Sequence, residues 1–204
     1  MDAMVEAALK KWPNVPHCYG WLALDARGDW YMRDDRTQAA GPFPGVKGSR
    51  ILHDKLRQFI ERNYAYDEAG AWFFQNGPQR VYVELEAAPW IWRLKAESAE
   101  QAPSVEDRGE ATRAQAQVGQ DEAIPVDGTP AIVSHTGVQA RFQSAWLDEH
   151  GRLFLATDLG LGLVHTLDME AASIAVERGL WVPTETAFDA LPMRFAYRQR
   201  PAPG

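Results

Sequence analysis

The sequence predicts an α+β protein made of antiparallel β-meanders in two related lobes, each carrying a packed helix. Three observations point there: short runs alternating apolar and polar residues, D-x-x-G turns set between hydrophobic runs, and a heavy aromatic load of eight Trp, six Tyr and eight Phe in 204 residues. Aromatic side chains suit half-buried pleated surface, and a period of two marks a strand with one face on a core.

Residues 2–11, DAMVEAALKK, place Met4, Val5, Ala8 and Leu9 on one side of a helix, and Pro13 ends it. Tyr19 to Leu24 then reads as strand, Asp25-Ala26-Arg27-Gly28 as a turn and Asp29 to Met32 as the returning strand. The glycines and prolines of residues 37–48 predict a loop. Ser49 is placed to cap a helix over 49–64, with Ile51, Leu52, Leu56, Phe59 and Ile60 on one face.

Asn63 to Leu94 is the most regular stretch. Tyr64-Ala65-Tyr66 and Ala71-Trp72-Phe73-Phe74 flank the turn Asp67-Glu68-Ala69-Gly70. Past Asn76-Gly77-Pro78, Val81, Val83 and Leu85 alternate with Tyr82, Glu84 and Glu86, and Trp90 to Leu94 follows Pro89 as a further strand of the same meander. Residues 1–94 thus form an N-terminal β-rich lobe. Residues 95–124, rich in Ala, Glu, Gln, Ser and Arg, bury too little apolar surface to offset their ordering entropy and read as a flexible acidic linker or insertion.

Residues 125–204 repeat the pattern. Ala131-Ile132-Val133 and Val138 to Phe142 surround a turn at His135-Thr136-Gly137, and Asp148-Glu149-His150-Gly151 sits between Ala145-Trp146-Leu147 and Leu153-Phe154-Leu155. Leu163 to Thr166 is a strand, Asp168 caps a helix over 168–178 that Gly179 stops, and Leu180 to Val182 and Met193 to Tyr197 read as closing strands. Setting Asp67-Glu68 on Asp148-Glu149 lays Trp72-Phe73-Phe74 on Leu153-Phe154-Leu155 and Val83-Glu84-Leu85 on Val164-His165-Thr166. Two related lobes with a groove between them would follow.

A net charge of −7 argues against a nucleic-acid partner, which needs a clustered positive surface. The single cysteine, Cys18, allows no internal disulfide or multi-thiolate metal site and suits a cytoplasmic address. The N-terminal run lacks the continuous apolar stretch of a signal peptide, and no run has the length of a membrane span. The five histidines have no metal-ligand spacing, so no metal is expected. Gly160-x-Gly162 lacks the third glycine of a dinucleotide fingerprint and leads into strand-like Leu-Val, and P-loop, H-E-x-x-H and G-x-S-x-G motifs are missing, so no cofactor is expected either.

The candidate binding residues come from strand parity. Arg80, Tyr82 and Glu84 share the face opposite Val81, Val83 and Leu85, Trp90 and Trp92 share a face of the next run, and His165 holds the position equivalent to Glu84 in the second lobe. Aromatics beside an Arg and a carboxylate suit a ligand cradle or a partner surface. The function expected is a non-enzymatic small-ligand-binding or regulatory module, with a small molecule or a protein as partner. The alternatives are an enzyme whose acid/base pair, Glu84 with His165, meets only in the tertiary structure, and a structural partner in a protein complex.

W-F-F-Q-N-G-P-Q-R-V-Y-V-E-L-E (Trp72 to Glu86), A-P-W-I-W-R-L (Ala88 to Leu94) and T-D-L-G-L-G-L-V-H (Thr157 to His165) resemble an uncharacterised proteobacterial family, a domain of unknown function. That resemblance spans most of the chain outside the linker and implies no activity. Ala26-Arg27-Gly28-Asp29-Trp30-Tyr31, the helix after Ser49 and Ala88-Pro89-Trp90 also resemble a second uncharacterised bacterial family of two small lobes, for which a ligand-responsive or regulatory role is implied.

Overall fold

The computed structural model describes residues 3–12, 15–95 and 129–203. Apart from Lys95, the expected linker lies outside them, as does Pro13. Two sheets make the fold. The first has strands β1 (Cys18–Leu24), β2 (Trp30–Met32), β3 (Ser49–Arg50), β4 (Tyr64–Tyr66), β5 (Trp72–Asn76) and β6 (Gln79–Leu85), in the order β3-β2-β1-β6-β5-β4. The second has β7 (Trp90–Lys95), β8 (Ala131–Ser134), β9 (Gln139–Ala140), β10 (Phe142–Leu147), β11 (Leu153–Thr157), β12 (Gly160–Val164) and β13 (Pro183–Glu185), in the order β13-β10-β11-β12-β7-β8-β9.

The two orders are one plan used twice. Each sheet is a pair of three-stranded antiparallel meanders joined at its centre by a parallel pair, β1 with β6 and β7 with β12, and the second adds β13 parallel to β10. Registers agree strand by strand. Tyr66 faces Trp72 as Leu147 faces Leu153, Phe73 faces Tyr82 as Phe154 faces Leu163, and Asn76 faces Gln79 as Thr157 faces Gly160. Glu84 and His165 are therefore equivalent positions, as the D-x-x-G alignment implies.

The turns explain the shared register. In Asp25–Gly28, Asp67–Gly70 and Asp148–Gly151 the Asp Oδ1 accepts the N–H groups two and four residues on at 2.8–3.0 Å, and its C=O accepts the glycine N–H at 2.9–3.0 Å. A type I turn with a left-handed glycine after it fixes a hairpin's register locally. Ser134–Gly137 is a fourth example, with Ser134 Oγ accepting the Val138 N–H at 3.0 Å.

Helices α1 (Ala3–Lys11), α2 (Asp35–Ala40), α3 (Asp54–Arg62), α4 (Met169–Glu177) and α5 (Leu191–Arg194) complete the chain. Several differ from the sequence reading. Ser49 does not cap a helix, because Ser49 and Arg50 pair with Met32 and Tyr31 at the sheet edge; α3 begins later, capped by His53, whose Nδ1 accepts the Leu56 N–H at 3.3 Å. Its inward face is accordingly narrower. Phe59 meets Phe74 edge-on at 5.4 Å and Ile60 is buried, while Leu52 and Leu56 are exposed. Residues 37–40, the start of the expected loop, belong to α2 because Asp34 accepts both the N–H and the hydroxyl of Thr37. Asp168 lends no side chain to the cap of α4, since its carboxylate is taken by Arg93 and the Leu94 N–H. The expected strand at Met193 to Tyr197 is instead the short α5, with Pro192 in its first turn, followed by Ala196 in the left-handed region.

The largest departure is β7. The sequence reads Trp90 to Leu94 as the last strand of the first meander, yet it is a central strand of the second sheet. One continuous core results, running from Leu22, Trp30, Trp72 and Val83 through Trp90 and Trp92 to Phe154, Leu163 and Trp181.

Candidate functional site

Where the lobes meet, two of the four turns abut. A Cβ added to Gly28 of the first turn would stand 2.9 Å from Cβ of His135 in the Ser134–Gly137 turn, so the backbone of one lobe touches a side chain of the other. Above this contact opens a cleft of about 550 Å³, lined from the first lobe by the Arg27–Asp29 turn and the outer face of α3, and from the second by β7 and the Ser134–Gly137 turn. That volume is within the usual range for small-molecule sites.

At its floor His135 lies among Trp30, Tyr64 and Trp90, with ring centroids 5.7–6.1 Å away. Its Nδ1 accepts the Ile91 N–H at 3.3 Å, so the proton sits on Nε2, and burial drives its pKa down to about 3. The imidazole is neutral. Charge gathers at the rim instead, where Arg27, Arg57, Arg93 and Lys95 face Asp29 and Glu61. Asp29 holds Arg50 at 2.5 Å, Arg57 lies between Asp54 and Glu61, and Arg93 is engaged by Asp168 at 2.5 Å. Burial raises the pKa of Glu61, against the opposing pull of Arg57.

A second cavity, of about 670 Å³, is lined by Glu86, His150, Arg152, Phe188 and Arg200 among others. Its guanidinium groups are already engaged, Arg152 by Asp148 at 2.6 Å and Arg200 by the Phe43 carbonyl at 3.1 Å.

The six residues singled out from sequence are not brought together. Arg80, Tyr82 and Glu84 do share the face of β6 opposite Val83 and Leu85, as parity requires. There Tyr82 stacks on Tyr19 at 4.6 Å and donates to Asp67 Oδ2 at 2.9 Å, Arg80 lies over Phe73, and Glu84 pairs with the buried Arg33. Arg33 in turn donates to the carbonyls of Gly41 and Val46, pinning residues 33–46 to the sheet. Trp90 and Trp92 are core, their indole N–H groups donating to the carbonyls of Leu159 and Leu155. Gly162 makes room for both, since a Cβ there would lie 2.4 Å from the Trp92 indole nitrogen and 2.7 Å from Trp90 Cβ.

His165 is buried at the end of β12, its Nδ1 accepting the Leu167 N–H at 3.0 Å as the cap of a single 3-10 turn. Burial lowers its pKa, and Arg93 and Arg27 push the same way against Asp168 and Asp29. Arg93, Arg27 and Asp29 belong to the rim of the cleft, so His165 stands beside it. Of the cleft residues, Arg27 lies in the first D-x-x-G turn, whereas Lys95 and His135 lie in no motif that the sequence reading singled out as a site. The signal that reaches His135 is that Ser134-His135-Thr136-Gly137 has the spacing of the D-x-x-G turns with serine for aspartate; none reaches Lys95.

Among families, residues 1–129 match DUF2944, described as Protein of unknown function (DUF2946). The chain belongs to this family. The matched residues include the whole first sheet and β7, the strand that the first lobe contributes to the second. Among solved structures, the chain is similar to the crystal structure of a DUF1285 family protein from Silicibacter pomeroyi, at 11% identity over 84% of this chain and 83% of that one, with a TM-score of 0.42. No curated protein matches the chain. Among the described residues no helix is long and apolar enough to cross a membrane, and no group of three or more His, Cys, Asp or Glu side chains is arranged to hold a metal ion.

Proposed function

We propose that the protein is a non-enzymatic, cytoplasmic module that binds a small molecule in the cleft between its lobes. One observation carries this reading: both lobes line a single cleft of about 550 Å³, the first with a turn and the outer face of α3, the second with a turn and strand β7. A ligand held there touches both lobes at once, which suits a regulatory readout of its presence. The outward face of β6 is a weaker candidate, because Tyr82 and Glu84 are already committed to Asp67 and Arg33.

The test is a thermal-shift screen against a broad metabolite library, run on the wild type and on Gln58→Trp. Gln58 is an exposed residue on the cleft wall, so a tryptophan there fills the cleft while leaving the core intact. Compounds that raise the melting temperature of the wild type and not of Gln58→Trp are the expected result. A library in which every active compound stabilises both proteins equally would show that the cleft is not the site.

A further inference from the structure

Building on the cleft as the binding site, we infer that its ligand is a small organic oxyanion, a carboxylate or phosphate ester, held between Arg27 of the first lobe and Lys95 of the second. The chain as a whole is acidic, at −7, yet the cleft is lined by four cationic side chains against two carboxylates. A local field opposed to the global charge concentrates anions at that place.

The pairing within the rim sharpens this. Each carboxylate of the cleft has a cation of its own: Asp29 has Arg50 and Glu61 has Arg57, while Arg93 is matched by Asp168. Arg27 and Lys95 have no ion-pair partner among the described residues. They stand on opposite walls, Arg27 on the turn between β1 and β2 and Lys95 at the end of β7. Arg27 offers a planar fork that matches an oxyanion in two places, and Lys95 a compact charge for a second oxygen. Thr136 adds a neutral hydroxyl on the same wall as Lys95, within 2.9 Å of Ser134 Oγ. The Gln58 amide on the α3 side serves the uncharged remainder of the ligand. An anion placed there draws Arg27 and Lys95 together across the lobe boundary.

The experiment compares matched probes by calorimetric titration: succinate against succinamide, and glycerol 3-phosphate against glycerol. Inorganic phosphate is the minimal probe. The proteins are the wild type, Gln58→Trp and the double variant Arg27→Gln/Lys95→Gln, whose substitutions are both at exposed positions. At least one charged probe is expected to bind the wild type while its uncharged counterpart does not, with affinity falling as salt rises. In the double variant that affinity should drop about tenfold or more. Succinate against glycerol 3-phosphate decides between the carboxylate and phosphate sources.

Failure of every charged probe to bind, or equal binding to the double variant, overturns the oxyanion assignment. If library compounds without charge are blocked by Gln58→Trp, the cleft stands as the binding site and only the ligand class is wrong. If nothing is blocked by Gln58→Trp, the site itself is wrong.

Discussion

At the floor of the cleft a histidine is held neutral by its surroundings alone. His135 Nε2 is buried with no hydrogen-bond partner among the described residues, and no charged group contributes to the depression of its pKa, which burial causes. Unfolded, an imidazole titrates near 6.5; folded, this one titrates at about 3. Between those values the unfolded chain binds the extra proton. The stabilisation is complete above about pH 6.5 and is lost as the pH falls, at up to about 1.4 kcal/mol per pH unit. His135→Asn keeps an acceptor for the Ile91 N–H and removes the titration. The expected outcome is a shallower loss of stability in the variant from pH 6.5 to 5, read as the difference in slope from urea unfolding at each pH. A second residue-scale expectation concerns Glu84. Arg33 is 2% exposed and carries its charge against that carboxylate, so Glu84→Gln should destabilise the fold by about 3 kcal/mol, by chemical unfolding, whether or not a ligand is present.

Among the elements, β7 and β12 show where the sequence could be read and where it could not. The hairpins were legible because their information is local: Asp67 and Asp148 fix their turns through bonds no more than four residues long, and the same turn gives the same register in both lobes. Strand parity was legible too, and Arg80, Tyr82 and Glu84 fall on one face as alternation requires. The partner of Trp90–Lys95 was not legible, since parallel pairing with β12 joins residues about seventy positions apart, and nothing near Pro89 marks the crossing. The cause of that pairing becomes visible only with both strands in place. Gly162 leaves space that the Trp92 indole fills on its way to the Leu155 carbonyl. Gly162→Ala would force its Cβ to within 2.7 Å of Trp90 Cβ unless the strands shift, an overpacking expected to cost about 1–3 kcal/mol. It should also alter the near-UV circular dichroism of the stacked Trp90–Trp92 pair, whose rings are 5.9 Å apart. An unchanged spectrum with wild-type stability would mean that the glycine is not what seats β7.

Across the whole molecule the lobes are fastened by exchange in both directions. The chain sends β7 from the first lobe into the second sheet, and after α5 it sends residues 197–200 back over the first lobe. There the Arg198 N–H donates to the Gly70 carbonyl at 2.9 Å, the Leu85 N–H to the Gln199 carbonyl at 2.8 Å and the Tyr197 hydroxyl to the Ala87 carbonyl at 3.0 Å. This return separates two glycines that the repeat makes equivalent. Gly70 and Gly151 close the same turn with φ of +74° and +72°, but a Cβ on Gly151 meets nothing within 4 Å, whereas one on Gly70 would lie 2.0 Å from the Ala196 carbonyl oxygen. Gly151→Ala should therefore cost only the left-handed backbone term, about 1–2 kcal/mol. Gly70→Ala carries the same term and must also displace the returning segment. It should cost at least twice as much in thermal or urea unfolding. Native-state hydrogen exchange locates the difference: the Arg198 and Leu85 amides should lose protection in Gly70→Ala and keep it in Gly151→Ala. Equal costs with unchanged exchange at Arg198 would mean that the tail gives way freely and does not fasten the lobes.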